Sequence, residues 1–150
     1  MSPSEKGDLV YLLNILECIG KINEYTKNIN SAEELNSIEK AVNYDASMMQ
    51  LVNIGEYISK LTEKLKDDNV FISWKQIKGL RNRVVHDYAG VNIDVVYRIM
   101  KQDLLLLKSD IEKIITTKII DKVVNPEIFS RCKGCSHYRY IDFNKFIKEV

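Results

Sequence analysis

Between its two prolines, Pro3 and Pro126, the chain repeats apolar side chains at three- and four-residue steps, the spacing of one helix face. Leu9, Leu12, Leu13, Leu16, Ile19 and Ile22 predict a first helix over about 8–27, with a break at 28–30. Ser31 and Glu34 have the spacing of a capping box, in which a hydroxyl and a carboxylate satisfy amides at a helix start. A short helix there precedes a long one over about 38–65, striped by Leu51, Ile54, Ile58, Leu61 and Leu65. Gly55 lies inside it at a cost of ~1 kcal/mol relative to alanine, and is read as a point of close helix approach. Residues 66–72 read as a polar loop. Ser73 and Gln76 form a second capping box that opens a third helix, with Gly90 placed to end it. Asn92 can cap a fourth helix over about 93–117, carrying Val96, Ile99, Met100, Leu107, Ile111 and Ile114. The run Leu104-Leu105-Leu106-Leu107 is apolar around most of a turn. If one side faces the core, the other needs a second partner, which points to an oligomer. Beyond Pro126 the pattern weakens, and Phe143 and Phe146 suggest a short closing helix. The expected fold is all-α, an up-down four-helix bundle over 1–120 with a C-terminal extension over 121–150.

The chain has 150 residues, 45% hydrophobic and 29% charged, enough for one compact domain. No apolar run reaches the ~20 residues of a membrane span, and the N-terminus lacks the pattern of a secretory signal, so the expectation is cytoplasmic, without membrane. A net charge of +1 excludes a globally basic nucleic-acid binder and leaves only local patches. One patch is Lys75, Lys78, Arg81 and Arg83 against Asp87; the other is Arg131, Lys133, Arg139, Lys145 and Lys148 against Asp142 and Glu149. Charge alone allows both to be solvated faces. Three cysteines argue against a disulfide framework. Cys18 reads as a small core residue, whereas Cys132 and Cys135 form one Cys-x-x-Cys followed by His137. These three fall short of the about four ligands zinc needs; sharing across a dimer, or a water, could complete the set, and a disulfide or two thiols are equally open. No cofactor is called for.

The segment from Leu80 to Tyr88 places a guanidinium, an imidazole and a phenol close together, in a chain with only two histidines. A guanidinium can hold a phosphate through paired hydrogen bonds, and an imidazole can move a proton near neutral pH. On a helix, Asn82 and His86 stack one turn apart, while Arg81 and His86 are about 140° apart around the axis. Arg81 and His86 converge on one phosphate only if the helix ends near His86 or a second subunit completes the site. The chemistry so assembled is attack of an RNA 2′-hydroxyl on the adjacent phosphate, with His86 as general base or acid and Arg81 stabilising phosphoryl charge. Asn82 would orient the imidazole or the phosphate, and Lys78 and Arg83 are candidates for holding RNA. No metal is required, and the motif lacks the clustered carboxylates that would hold one. The same residues also suit a surface pair, or a cation at a helix C-terminus.

Arg81, then four residues, then His86-Asp87-Tyr88, resembles the Arg-x4-His-x-Tyr signature of HepT-type toxins of the HEPN superfamily. The resemblance spans roughly 8–117 and includes Leu16-Glu17, Ile54-Gly55-Glu56, Trp74-Lys75-Gln76-Ile77, Gly79-Leu80-Arg81-Asn82 and His86-Asp87-Tyr88-Ala89-Gly90. It implies an all-helical HEPN homodimer acting as a ribonuclease, neutralised by a minimal nucleotidyltransferase (MNT-type) antitoxin. Arg81 and His86 would be catalytic, Asn82 the polar residue after the arginine, and Tyr88 the site of adenylylation. AMP on Tyr88 would place bulk and negative charge beside His86. Glu56 matches a family position, with a structural carboxylate as its default role. The extension with Cys132, Cys135 and His137 departs from the usual family core. The alternative is a non-catalytic HEPN module that binds a nucleotidyltransferase partner.

Overall fold

The computed structural model of the chain describes residues 3–86, 90–120 and 126–147. Every regular element among them is helical. Helix α1 (Pro3–Thr26) forms the centre of the molecule. Leu9, Leu12, Leu13, Leu16 and Ile19 are buried as the stripe requires, and Ile15 and Cys18, which lie off it, are buried as well. A helix covered on so many sides needs neighbours beyond one bundle face. They are α3 (Ala41–Lys60) and α7 (Leu104–Ile120), which pack on it directly, and the C-terminal extension.

The caps expected at Ser31 and Asn92 are present. Ser31 Oγ accepts from Glu34 N at 3.0 Å at the start of the short α2 (Ala32–Leu35), while Glu34 Oε2 accepts from Asn30 N at 2.9 Å. The carboxylate thus serves the residue before the cap rather than the cap itself. A single 3₁₀ turn over Ile38–Lys40 then leads into α3.

The long helix expected over 38–65 ends at Lys60 instead. Leu61 and Thr62 are extended, and a separate α4 (Glu63–Asp68) follows. The cause lies 54 residues upstream, where the buried Asp8 of α1 accepts from Thr62 N at 2.8 Å and from Thr62 Oγ1 at 2.6 Å. Thr62 Oγ1 in turn accepts from Leu65 N at 3.3 Å and caps α4. A buried carboxylate is costly unless its oxygens are satisfied, and breaking the helix here supplies two donors.

Asn92 caps α6 (Ile93–Arg98) by accepting from Asp94 N and Val95 N. One wide π-helical turn over Ile99–Asp103 joins it to α7, so the fourth helix runs from Ile93 to Ile120. The wide turn keeps Val96, Met100 and Leu104, four residues apart, all facing the core. Lys101 on this turn donates to the Thr26 carbonyl at the end of α1.

The extension forms α8 (Pro126–Lys133) and α9 (Asn144–Ile147), where the sequence pattern led only to one short helix. Phe129, Phe143 and Phe146 are buried and meet edge to face at 5.5–6.4 Å. Three polar attachments tie this small aromatic core to the bundle. Lys145 Nζ reaches Glu112 on α7 at 2.5 Å. On α1, Glu17 is 1% exposed; its Oε1 accepts from Arg139 N at 2.9 Å and its Oε2 from Tyr140 N at 3.0 Å. The Tyr138 hydroxyl donates to Asn14 Oδ1 at 2.9 Å, and a Cβ placed on Gly20 would lie 2.2 Å from Tyr140 Cβ. Asn14, Glu17 and Gly20, at steps of three, make the strip of α1 that receives the tail. Among the described residues no helix is long and apolar enough to cross a membrane.

Candidate active site

The Arg/His motif lies on α5 (Trp74–His86), the third main helix, as expected. Its first turn closes when Gln76 N and Ile77 N donate to the Ser73 carbonyl at 3.1 and 3.3 Å. Trp74 is buried and anchors this end, its indole N–H donating to the Asn69 carbonyl at 3.2 Å. From there α5 runs along α3, whose Ile54 and Gly55 are buried. Glu56, next to them, is half-buried and engaged in an interaction.

Lys75, Lys78 and Asn82 are exposed. Positions 78, 82 and 86 follow one another at four-residue steps, so the histidine position continues a row whose two preceding members face solvent. Arg81 is the neighbour of Asn82 on this helix and one turn from Lys78. The helix is continuous through both motif positions, which leaves Arg81 and His86 about 140° apart around its axis. The side chains of Arg81, Arg83 and His86, and the whole of Tyr88 with its neighbours Asp87 and Ala89, lie outside the described residues.

Beside the motif helix the bundle is open. Helix α5 packs on α3, and a cleft of about 860 Å³ is lined jointly by α3, α5, α6 and α7. Ile54, Ile77 and Leu107 contribute apolar surface, and Gln76, Asp103 and Asp110 polar groups. Gly79 lines it too, and a Cβ there would meet nothing within 4 Å, so the glycine is not demanded by packing. The leucine run splits as its spacing requires: Leu104 and Leu107 are buried, whereas Leu105 and Leu106 are 49% and 67% exposed. Leu106 and the exposed Phe71 both border the cleft.

The second candidate set is not assembled. Among the described residues no three His, Cys, Asp or Glu side chains come together as a metal site, so Cys132, Cys135 and His137 do not form one. The cleft itself escaped sequence reasoning. Its only signal is the apolar run Leu104–Leu107, which shows that a face is uncovered but not which helices frame it.

Comparison with known proteins places this arrangement. Residues 15–114, which include α3, α5 and the whole Arg-x4-His-x-Tyr segment, match the family described as Ribonuclease HepT-like. Two proteins of Methanocaldococcus jannaschii, provisionally named as RNases, are 32% and 29% identical over 105 and 109 residues. These alignments cover 70% and 73% of this chain and 84% and 97% of the relatives. A "Probable ribonuclease HepT" of Thermococcus cleftensis is 30% identical over 104 residues, 69% of this chain and 92% of its own. No solved structure matches the chain at a significant level. The matched family span, residues 15–114, stops before α8.

Proposed function

The chain belongs to the HepT-like ribonuclease family, and from that premise we propose that it is a metal-independent endoribonuclease acting as the toxin of a toxin–antitoxin pair. The observation that carries the reading is the row 78–82–86 on a continuous α5, with Lys78 and Asn82 open to solvent. Such a row can lie along an RNA backbone, with Lys78 and Arg83 neutralising phosphates and Asn82 orienting either the phosphate or the imidazole. His86 removes the proton from a 2′-hydroxyl; the oxygen attacks the adjacent phosphorus, the P–O5′ bond breaks, and the leaving 5′-oxygen takes a proton from water, whose hydroxide is neutralised by the proton His86 holds. Arg81 holds the phosphoryl oxygens as their charge develops. The products are a 2′,3′-cyclic phosphate and a 5′-hydroxyl.

The separation of Arg81 from His86 around the helix is bridged by a second copy, in a two-fold homodimer that brings one α5 to the other. The exposed Leu106 and Phe71 at the cleft, together with the exposed Leu105, support such an assembly. Neutralisation follows from adenylylation of Tyr88 by an MNT-type nucleotidyltransferase antitoxin, which sets a bulky anion two residues from the histidine. The protein acts in the cytoplasm, where its RNA substrate is.

The test is cleavage of RNA by the purified wild type, Arg81→Ala and His86→Ala proteins, with end-group analysis. Wild type should leave cyclic phosphates, and each variant should lose about 100-fold or more. Equal cleavage by all three removes the assigned chemistry. Intact RNA together with tight binding to a nucleotidyltransferase would identify a non-catalytic module instead. Coexpression with the nucleotidyltransferase should add AMP units to the intact mass, and Tyr88→Phe should abolish the addition.

A further inference from the structure

The extension carries a pair of thiols that the nuclease reading does not use. Cys132 sits in the last turn of α8 and is half-buried, packed against the core; Cys135 follows just after the helix and is exposed. Cys135 N donates to the Cys132 carbonyl at 3.1 Å, so the two residues close a four-residue turn. Such a turn holds its end Cα atoms within about 7 Å, which overlaps the roughly 4.4–6.8 Å that a disulfide spans. Between them lie only Lys133 and Gly134, at the point where the helix is already unwinding. A second turn follows directly, Tyr138 N donating to the Cys135 carbonyl at 3.2 Å. The thiol turn is therefore continuous with the tail's attachment to α1, where Tyr138, Arg139 and Tyr140 meet Asn14 and Glu17. The Tyr138 hydroxyl is held well above its ordinary range, by burial first and then by the nearness of Cys132 and Cys135. Cys18 is different: burial pushes its thiol up to about 11, which keeps it protonated and inert.

We propose that Cys132 and Cys135 form a thiol–disulfide exchange site that reacts with low-molecular-weight disulfides and closes into a bridge within the chain. Cys135, the accessible sulfur, attacks one sulfur of the disulfide as its thiolate. The S–S bond breaks, one thiolate leaves, and Cys135 carries a mixed disulfide. Cys132 then attacks the Cys135 sulfur, and the second thiolate leaves. The protons given up by the two cysteines go to the two departing thiolates. Two protein thiols are oxidised and one small disulfide is reduced to two thiols. The ring so formed stiffens the turn that leads into Tyr138, so the bridged protein holds its extension to α1 more firmly. This inference stands apart from the nuclease reading, since its residues lie outside the family span.

The full-length protein is equilibrated with glutathione disulfide, then examined by intact mass, peptide mapping and amide hydrogen exchange. Wild type should lose two of its three thiols and two hydrogens in mass, with the bridge mapped to Cys132–Cys135 and slower exchange at Arg139 and Tyr140. Cys132→Ser should stop at the first step and retain one glutathionyl group on Cys135. Cys135→Ser should form no intramolecular bridge. Persistence of both thiols in wild type, glutathionyl groups stable on both sulfurs, or bridges only between chains would overturn the proposal. Unchanged exchange at residues 139 and 140 in the bridged protein would remove the link to the α1 attachment.

Discussion

Replacing Glu17 by alanine tests whether one buried carboxylate holds the extension on the bundle. Its two oxygens accept from Arg139 N and Tyr140 N at 2.9 and 3.0 Å, at a site almost closed to water. Hydrogen bonds to a charged acceptor contribute about 1.5–3 kcal/mol each, so removing both costs about 3–6 kcal/mol if the tail stays in place. The tail need not stay, because lifting away would return both amides to water. The observable loss is then limited to what holds the tail otherwise. The Lys145–Glu112 pair adds little, since its lysine end is 62% exposed and exposed ion pairs contribute at most about 1 kcal/mol. The Tyr138–Asn14 bond adds about 1 kcal/mol, and the remainder is the packing of the extension's aromatic side chains. A destabilisation of about 2–4 kcal/mol follows, or roughly 5–15 °C in melting temperature for a chain of this length. Glu17→Gln keeps one carbonyl acceptor but turns an N–H toward the other amide, and should recover less than half of the loss. Thermal melts give the size of the effect, and amide exchange gives its place: Arg139 and Tyr140 should lose protection before α3 does. Melts of Glu17→Ala within about 1 °C of wild type, with both amides still protected, would refute this account of how the tail is attached.

Gly20→Ala should destabilise the protein even though alanine favours a helix by ~1 kcal/mol, because the new methyl meets Tyr140 Cβ, which no side-chain rotation can move. In a Tyr140→Gly background the same change should become stabilising, and paired thermal melts check the reversal of sign. Burial raises the Cys18 thiol from its ordinary 9.0 to about 11, and burial likewise raises the Tyr138 hydroxyl. Both groups bind their protons more tightly when folded, so their stabilisation is complete below about pH 9 and is lost as pH rises toward 11 and beyond. Urea unfolding should show a weaker protein at pH ~11 than at pH ~8, and Cys18→Ala should shrink that difference; equal dependence in both proteins would exclude the thiol as its source.

Much of the architecture was legible in single turns of sequence. The apolar stripes of α1, α3 and α7, the caps at Ser31 and Asn92, and the placement of the Arg/His segment on the third main helix all depend on residues within about four positions of each other. Backbone hydrogen bonding and side-chain direction are decided over that same distance, so the code for them is local. The uncovered leucine pair was visible for the same reason: a run of four apolar residues cannot put every member on one side of a helix.

Other features needed the chain to be folded before they had a cause. Near Leu61 the local sign of a break is Thr62, a residue able to cap a helix; what fixes the break there is Asp8, 54 residues away, whose buried oxygens are satisfied by Thr62. Glu17 reads as one more polar residue on an apolar helix until Arg139 and Tyr140 bring it two amides, and Gly20 has no purpose until Tyr140 lies against it. The cleft beside α5 is likewise framed by residues of α3, α5, α6 and α7 together, which no periodicity encodes. Desolvated polar groups and close-packed surfaces take whatever partner the assembled fold presents, and the identity of that partner is a fact of three dimensions.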